Sequence, residues 1–167
     1  MSGTVQDMEN IYREHAQTVY RYLLARTHDA ALAEELTQET FYQAVRSAGR
    51  FTGECKITTW LCGIARNVLR TERRRIPEEA LAEPIPAGET ADGALLAGEE
   101  RVELLRRMQS LGSDVREVMY LRIFGTLSFR EIGDILSRSE NWARVTFYRG
   151  KERLRKELDE NGAKDSL

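Results

Sequence analysis

The sequence predicts an all-α protein in which two small helical domains are joined by a flexible acidic linker. Apolar residues recur at the three-to-four spacing of amphipathic helices, and no segment alternates as a β-strand does. All three prolines (Pro77, Pro84, Pro86) lie between residues 76 and 100, where seven acids occur without a lysine or arginine. We therefore expect domains at residues 1–75 and 99–160, a linker at 76–98 and a disordered tail at 161–167.

The composition excludes several classes of protein. With 41% hydrophobic and 31% charged residues and only 3 prolines, the chain is neither disordered nor fibrous. No stretch approaches the roughly 20 apolar residues of a membrane span, and residues 1–10 lack the pattern of a signal peptide. We expect a cytoplasmic protein.

Three helices are predicted in the first domain. The first carries an apolar series at residues 8, 11, 12, 15, 19, 20, 23 and 24. The second runs from about Asp29 to Ala48, and its apolar side contains Leu32, Leu36, Phe41, Ala44, Val45 and Ala48. After a connection bracketed by Gly49 and Gly53, Thr58 or Thr59 can cap a third helix, which turns Leu61, Ile64, Ala65, Val68 and Leu69 inward.

The second domain begins with a helix carrying Val102, Leu105 and Met108. A break at Gly112 and Ser113 starts another helix that ends near Gly125 and turns inward Val115, Val118, Met119 and Ile123. Ser128 and Glu131 form a capping box, which predicts a helix start at Ser128. A last helix begins after Ser139, with Glu140 in its first turn.

The last two helices, joined by a short turn, have the pattern of a helix-turn-helix, which indicates DNA binding. The last helix should bury Ala143, Phe147, Gly150 and Leu154. Residue types suited to base edges lie on another side: Asn141, Trp142, Val145, Thr146, Tyr148 and Arg149. Cations suited to phosphates are Arg144, Lys151, Arg153 and Arg155. The alternative is a solvated basic helix in an interaction domain.

Charge is segregated along the chain, although the net charge is only -2. Residues 64–75 hold five arginines and one glutamate, a net +4. Residues 138–156 hold seven Arg or Lys and two glutamates, a net +5. Two basic stripes therefore flank the acidic linker, so the low net charge does not count against a nucleic-acid binder.

Three segments together resemble the extracytoplasmic-function sigma factors of bacterial RNA polymerase, members of the sigma-70 family. Residues 33–41 (AEELTQETF) are similar to the polymerase-binding signature of that family, and residues 51–67 (FTGECKITTWLCGIARN) to its promoter-melting segment. Residues 127–154 are similar to its helix-turn-helix. The resemblance implies a sigma2-like helical bundle followed by a sigma4-like helix-turn-helix domain.

The resemblance also implies a role for each surface. Core polymerase would be bound by Glu34, Glu35, Gln38, Glu39 and Tyr42. The minus-ten element would be held and melted by Phe51, Thr52, Gly53, Glu54, Lys56, Trp60, Arg66, Asn67, Arg70, Arg73 and Arg74. The last helix would bind the minus-35 element. From the residues alone, the second-helix acids can equally form a solvated face, and Phe51 and Trp60 can equally be core residues.

The resemblance implies three partners: core RNA polymerase, promoter DNA and a cognate anti-sigma factor of a class that is often membrane-anchored. No catalytic constellation, cofactor motif or small-molecule site is evident, so we expect no enzyme activity and no cofactor. The chain departs from the family at Leu136-Ser137-Arg138 and at Asn141-Trp142-Ala143, so its promoter sequence is not transferable from relatives. The competing interpretation is a stand-alone helix-turn-helix regulator, which leaves residues 33–41 unexplained.

Cys55 and Cys62 have no second CxxC pair, and His15 and His28 lie well upstream, so no standard zinc spacing is present. In a reducing compartment such thiols are usually small hydrophobic residues. A redox role remains the alternative.

Overall fold

The computed structural model describes residues 2–75 and 98–165. These residues are predominantly helical and contain no β-strand, which confirms the predicted all-α fold class. They divide into two compact units, one built on the helices before residue 76 and one on the helices after residue 97. The predicted linker lies almost entirely outside the described residues.

The first unit consists of helices α1 (Ser2–Thr27), α2 (Ala30–Ser47) and α3 (Ile57–Arg75), with a short 3-10 helix at Ala48–Arg50. Each α-helix packs against the other two. The shared core contains Val19, Tyr22, Leu23, Leu36, Phe41, Leu61, Ala65 and Leu69. Tyr22 lies between two positions of the predicted apolar stripe of α1 and is fully buried, so the buried face of this helix is broader than its spacing predicted.

The junction between α1 and α2 is a tight turn. His28 has a φ of 57°, in the left-handed region, and its N–H donates to the carbonyl of Leu24 at 2.8 Å. Asp29 then caps α2 by accepting a hydrogen bond from the N–H of Leu32 at 3.1 Å. This left-handed residue and cap reverse the chain within two residues, which lets α2 fold back on α1.

Helix α2 buries two threonines and exposes one valine, against its hydrophobic pattern. Thr37 and Thr40 donate their hydroxyls to the carbonyls of Ala33 and Leu36, each at 2.7 Å, so burial leaves neither hydroxyl unsatisfied. Val45, which we expected on the apolar side, is 56% exposed. The correction follows from helical spacing, because Val45 lies three residues after the exposed Tyr42.

The start of α3 also differs from expectation. The helix begins at Ile57, and the carbonyl of Lys56 accepts a hydrogen bond from the N–H of Trp60 at 3.1 Å. Thr58 and Thr59 therefore lie inside the first turn, and neither is the N-cap. Thr59 is buried there at 4% exposure.

The second unit consists of α4 (Gly98–Gln109), α5 (Ser113–Ile123), α6 (Phe129–Leu136) and α7 (Glu140–Asp165). Buried core positions on these helices include Leu105, Met108, Val118, Met119, Ile132, Ala143 and Leu154. Ile123, expected to point inward, is 40% exposed at the end of α5. Helix α7 continues to Asp165, so the tail expected from residue 161 begins as helix.

Candidate nucleic-acid interface

The helix-turn-helix begins at the capping box of α6. The N–H of Glu131 donates to the Ser128 hydroxyl at 3.2 Å, and the Glu131 carboxylate accepts from the Ser128 N–H at 2.8 Å. Both contacts were predicted and are confirmed. Because the cap satisfies amides that α6 otherwise leaves open, it stabilises a helix of only eight residues.

The turn after α6 packs against Gly133. Ser137 adopts a left-handed conformation (φ 57°, ψ 45°), and the N–H of Arg138 donates to the Gly133 carbonyl at 2.8 Å. A Cβ on Gly133 would lie 2.7 Å from the Arg138 carbonyl oxygen and 3.1 Å from the Ser139 carbonyl carbon. Only glycine permits this approach without a shift of the backbone. Gly133 therefore allows the start of α7 to lie close to α6. A glycine inside a helical pattern was the available signal.

Helix α7 begins as predicted, because the Ser139 hydroxyl accepts a hydrogen bond from the backbone N–H of Trp142 at 3.0 Å. Its inner side contains the buried Ala143, Gly150 and Leu154. A Cβ on Gly150 would lie 2.6 Å from Cγ1 of Val115 and 2.7 Å from Sδ of Met119, so this glycine allows α7 to pack tightly against α5. Three of the four residues expected on the inner side are therefore buried, whereas Phe147 is half-buried.

Three rings reinforce the packing between α6 and α7. The centroid of Phe129 lies 5.5 Å from that of Phe147 and 6.1 Å from that of Tyr148. The guanidinium carbons of Arg122 and Arg144 lie over the same Phe129 ring, at 4.3 and 5.5 Å from its centroid. The aromatic cluster thus orients α7 on α6 and also fixes the stem of Arg144.

The outer side of α7 presents most of the residues predicted to meet the minus-35 element. Asn141, Arg144, Val145, Tyr148, Arg149, Lys151 and Arg153 are exposed. A shallow groove runs along this side and is lined by Arg144, Val145, Tyr148, Arg149, Glu152, Arg153 and Lys156. The groove combines apolar contact area with cations, a combination suited to thymine methyls and phosphates.

Two predicted contact residues do not lie freely on this outer side. Thr146 is only 8% exposed, because it lies three residues after Ala143 and four before Gly150, on the packed side. This corrects its assignment as a base reader. Trp142 is half-buried, and the guanidinium carbon of Arg138 lies 4.9 Å from its ring centroid. Sequence reasoning did not select Arg138.

Several arginines of α7 form ion pairs with glutamates of the same helix. Arg144 contacts Glu140 at 3.1 Å, and Arg153 contacts Glu157 at 3.7 Å. Arg155 contacts Glu152 at 2.6 Å, and this hydrogen bond lowers the pKa of Glu152 and raises that of Arg155. These groups are exposed, except for the half-buried Glu157, so the pairs orient side chains more than they stabilise the fold.

In the first unit, the predicted polymerase-binding residues share one exposed face of α2, which we call the α2 polar face: Glu34, Glu35, Gln38, Glu39 and Tyr42. Glu39 accepts a hydrogen bond from Nε2 of Gln43 at 3.1 Å. The guanidinium carbon of Arg46 lies 5.7 Å from the ring centroid of the exposed Tyr42. Together with Val45, this tyrosine adds apolar area to an otherwise acidic face.

The segment between α2 and α3 brings the predicted melting residues to one place. Phe51 and Trp60 are both half-buried, and their ring centroids lie 4.9 Å apart with an interplanar angle of 36°. Beside this pair, Thr52, Gly53, Glu54 and Lys56 are exposed. Gly53 has a φ of 80°, which favours glycine at the tip of the turn. The pair is thus partly packed and partly accessible.

The basic residues of α3 do not form a single uniform set. Asn67, Arg70 and Arg74 are exposed, and Arg66 is half-buried. Arg73 is also half-buried, and its Nη2 donates to the carbonyl of Arg26 in α1 at 3.1 Å. The structure therefore places Arg73 against the end of α1, while its neighbours remain at the surface.

His28 lies in the same region as Arg73 and Arg26. Burial, followed in size by the positive charges of Arg73 and Arg26, lowers the pKa of His28 from its ordinary 6.5 to about 4. The neutral imidazole is therefore the folded form near pH 7. Sequence reasoning gave this histidine no role, because no local pattern shows that two arginines from different helices meet there.

Within residues 2–75 and 98–165, no group of histidine, cysteine and acidic side chains has an arrangement suited to a metal ion. Cys62 is buried and Cys55 is half-buried. No helix in the same ranges combines the length and apolar character needed to cross a membrane.

Two family models match the chain: sigma-70 region 2 over residues 11–76 and sigma-70 region 4 over residues 101–154. Among curated proteins, the RNA polymerase sigma factor CarQ of Myxococcus xanthus is 33% identical over 166 residues, covering 95% of this chain and 92% of CarQ. The RNA polymerase sigma factor YlaC of Bacillus subtilis is 30% identical over 168 residues, covering 96% of both chains.

Solved structures share the fold. CnrH in complex with the cytosolic domain of CnrY matches with a TM-score of 0.72 and 18% identity, over 95% of this chain and 91% of that chain. The sigma factor RpoE in complex with the anti-sigma factor NepR from Bartonella quintana matches with a TM-score of 0.70 and 18% identity, over 92% of this chain and 98% of that chain.

Proposed function

The chain belongs to the sigma-70 family of RNA polymerase sigma factors, and we propose how its surfaces divide the work of a promoter-specificity subunit. The first domain, residues 1–75, binds core polymerase and holds the minus-ten element. The second domain, residues 99–160, reads the minus-35 element through α7. Residues 76–98 tether the two. The protein lowers the barrier to promoter opening by binding energy alone and is not an enzyme.

This proposal rests on one observation: the outer side of α7 is exposed, and the turn that joins α7 to α6 is tightly packed. The capping box, Gly133 and the Phe129 cluster fix α7 on α6, so that Asn141, Val145 and Arg149 project from a rigid support. Their amide, methyl and guanidinium groups match adenine, thymine and guanine edges respectively. A rigid support matters because fewer side chains must be ordered on binding.

The α2 polar face is proposed as the docking surface for core polymerase. Its carboxylates at Glu35 and Glu39 suit an arginine-bearing partner, while exposed Tyr42 and Val45 supply apolar contact. An exposed apolar area rimmed by polar residues is typical of a protein-binding site, which fits a chain that is active when bound to polymerase.

Promoter opening is assigned to the Phe51 and Trp60 pair and the turn beside it. A base that leaves the duplex gains stacking energy on an aromatic face, and the exposed Thr52, Glu54 and Lys56, which follow Phe51 in the chain, supply polar groups for it. The exposed Asn67, Arg70 and Arg74 then lie on the same helix as Trp60 and contact the adjoining phosphates.

The protein is further proposed to act in the cytoplasm on a stress or envelope regulon, and to be held inactive by a cognate anti-sigma factor. The solved structure of RpoE with its anti-sigma factor NepR has the same fold and motivates this partner. Co-purification of the tagged chain from its host, followed by displacement with core polymerase, tests the proposal.

Run-off transcription with purified core polymerase tests the main function. We expect promoter-dependent transcripts from a genomic template library, and we expect Glu35→Lys with Glu39→Lys to abolish polymerase association. The matched control is Asp7→Lys with Glu14→Lys, which makes the same charge change at exposed positions of α1. No promoter-dependent transcript from any template would overturn the function. Loss of association in both variants would overturn only the assignment of the α2 polar face.

A further inference from the structure

Arg138 lies in the turn between α6 and α7, and both its backbone and its side chain are held in place. Its N–H donates to the Gly133 carbonyl at 2.8 Å, and its own carbonyl lies against Gly133 so closely that a Cβ there would be 2.7 Å away. Its guanidinium carbon lies 4.9 Å from the ring centroid of Trp142. The Ser139 hydroxyl accepts a hydrogen bond from the backbone N–H of Trp142 at 3.0 Å, which fixes the main chain that carries the indole.

The contact with Trp142 leaves the hydrogen-bond donors of the guanidinium available. An aromatic ring attracts the positive charge of a guanidinium without occupying its five N–H donors, which can still bind a ligand. In the part of the chain that the structure describes, no carboxylate is within ion-pair distance of Arg138, although Arg144 on α7 is paired with Glu140 at 3.1 Å. Arg138 therefore presents an uncompensated, oriented positive fork.

The position of this fork selects its ligand. Arg138 precedes the N-cap Ser139, so it lies at the entrance of α7 and not on the side that faces base edges. In a helix-turn-helix, the start of the recognition helix enters the major groove, and the residues just before it pass the groove rim, where the phosphates lie. A planar fork with two parallel donors suits the oxygens of a phosphate.

We infer that Arg138 is a phosphate-contacting residue that positions α7 in the groove, and that Trp142 is its platform and does not read bases. This inference rests on the proposed function of the second domain. An exposed arginine ordinarily loses rotamer freedom when it binds. Here the contact with Trp142 already restricts that freedom, so a phosphate bound by Arg138 also fixes the direction in which α7 enters the groove.

The test uses the full chain bound to core polymerase and a promoter duplex selected by that holoenzyme from random sequence. We expect Arg138→Gln to weaken binding about tenfold at low salt and to reduce the slope of log affinity against log salt concentration by about 1. Base preference, measured by repeating the selection, should not change. Arg106→Gln is the control, because it removes an exposed arginine of the same unit, on α4; it should bind as wild type does.

Substitutions of Trp142 provide a second test of the inference. Trp142→Leu removes the platform and should reproduce much of the Arg138→Gln loss without changing base preference, whereas Trp142→Phe retains a ring and should bind nearly as wild type does. The double variant should be no weaker than Arg138→Gln alone. An unchanged salt slope, or a changed base preference at one position, would overturn the inference. If the wild-type holoenzyme selects no DNA, the proposed function itself fails.

Discussion

Nη2 of Arg73 donates a 3.1 Å hydrogen bond to the backbone carbonyl of Arg26, which joins the last turn of α3 to the last turn of α1. Carbonyls in the last turn of a helix have no partner within that helix, and a cation there also interacts favourably with the helix dipole. The contact therefore fixes one end of the three-helix unit. It also distinguishes Arg73 from Arg74, which is exposed.

From this contact we predict opposite behaviour of two adjacent arginines. Arg73→Gln should lower the free energy of unfolding by about 1.5–3 kcal/mol, the range of a hydrogen bond from a charged group. Arg74→Gln should leave stability unchanged and weaken promoter binding through the loss of a phosphate contact. Urea unfolding and holoenzyme binding to promoter DNA measure the two effects. Equal stability of both variants would show that the contact with Arg26 contributes nothing.

The lowered pKa of His28 predicts a pH dependence of stability. The unfolded histidine titrates near 6.5, while burial and the charges of Arg73 and Arg26 lower the folded pKa to about 4. Between these values the unfolded chain binds a proton that the folded unit excludes. The free energy of unfolding therefore falls as the pH falls through this window, and the stabilisation is fully present above pH 6.5.

The variant His28→Asn isolates this contribution, because asparagine tolerates the left-handed backbone at residue 28. Carboxylates also titrate in this range, so the informative quantity is the difference between the curves of the variant and the wild type. We expect that difference to shrink as the pH falls from 6.5 to 4. His15→Asn, which removes the other histidine of the chain, serves as control. Parallel curves for His28→Asn and wild type would contradict the prediction.

Two glycines in helices should respond oppositely to alanine. At Gly133 the new methyl would lie 2.7 Å from the Arg138 carbonyl oxygen, so the turn must shift, at a cost of roughly 1–3 kcal/mol. At Gly63, in α3, nothing lies within 4 Å, so alanine should stabilise by about 0.5–1 kcal/mol through helix propensity. Thermal unfolding measures both. Stabilisation by Gly133→Ala would show that the turn accommodates a side chain without strain.

The sequence predicted well those features that depend on neighbours in the chain. The capping box of Ser128 and Glu131 and the cap at Ser139 need only residues within three positions, and both have the expected contacts. The inner stripe of α7 followed from spacing, because Gly150 and Leu154 are separated by one helical turn. Local chemistry was sufficient to place these elements.

The features that were missed depend on a second element. Thr146 is an exception, because its spacing from Ala143 and Gly150 already places it on the packed side; we assigned it to the groove because a threonine hydroxyl suits either a groove or an interior. Arg73 belongs to a basic run whose other members are exposed, and only the nearby end of α1 gives it a different partner. In the same way, Gly133 is important because the turn lies against it.

The aromatic pair of Phe51 and Trp60 leads to the last prediction, which separates packing from promoter opening. The unit contains a second aromatic pair at the same centroid distance of 4.9 Å, Tyr12 and Phe41, whose rings meet edge to face. Phe51→Ala and Tyr12→Ala should each lose about 0.5–1.5 kcal/mol of stability beyond the lost burial. Only Phe51→Ala should impair opening, because only its pair lies beside the exposed turn at Gly53.

A fluorescent adenine analogue in the minus-ten element reports opening, since its emission rises when the base leaves the stack. With saturating holoenzyme at a temperature where both variants are folded, we expect Tyr12→Ala to reach the wild-type signal and Phe51→Ala to fall well below it. Equal signals from the two variants would assign Phe51 to packing alone. Loss of signal in both variants would mean that promoter opening depends on the stability of the whole unit, because the two substitutions remove aromatic contacts at different places.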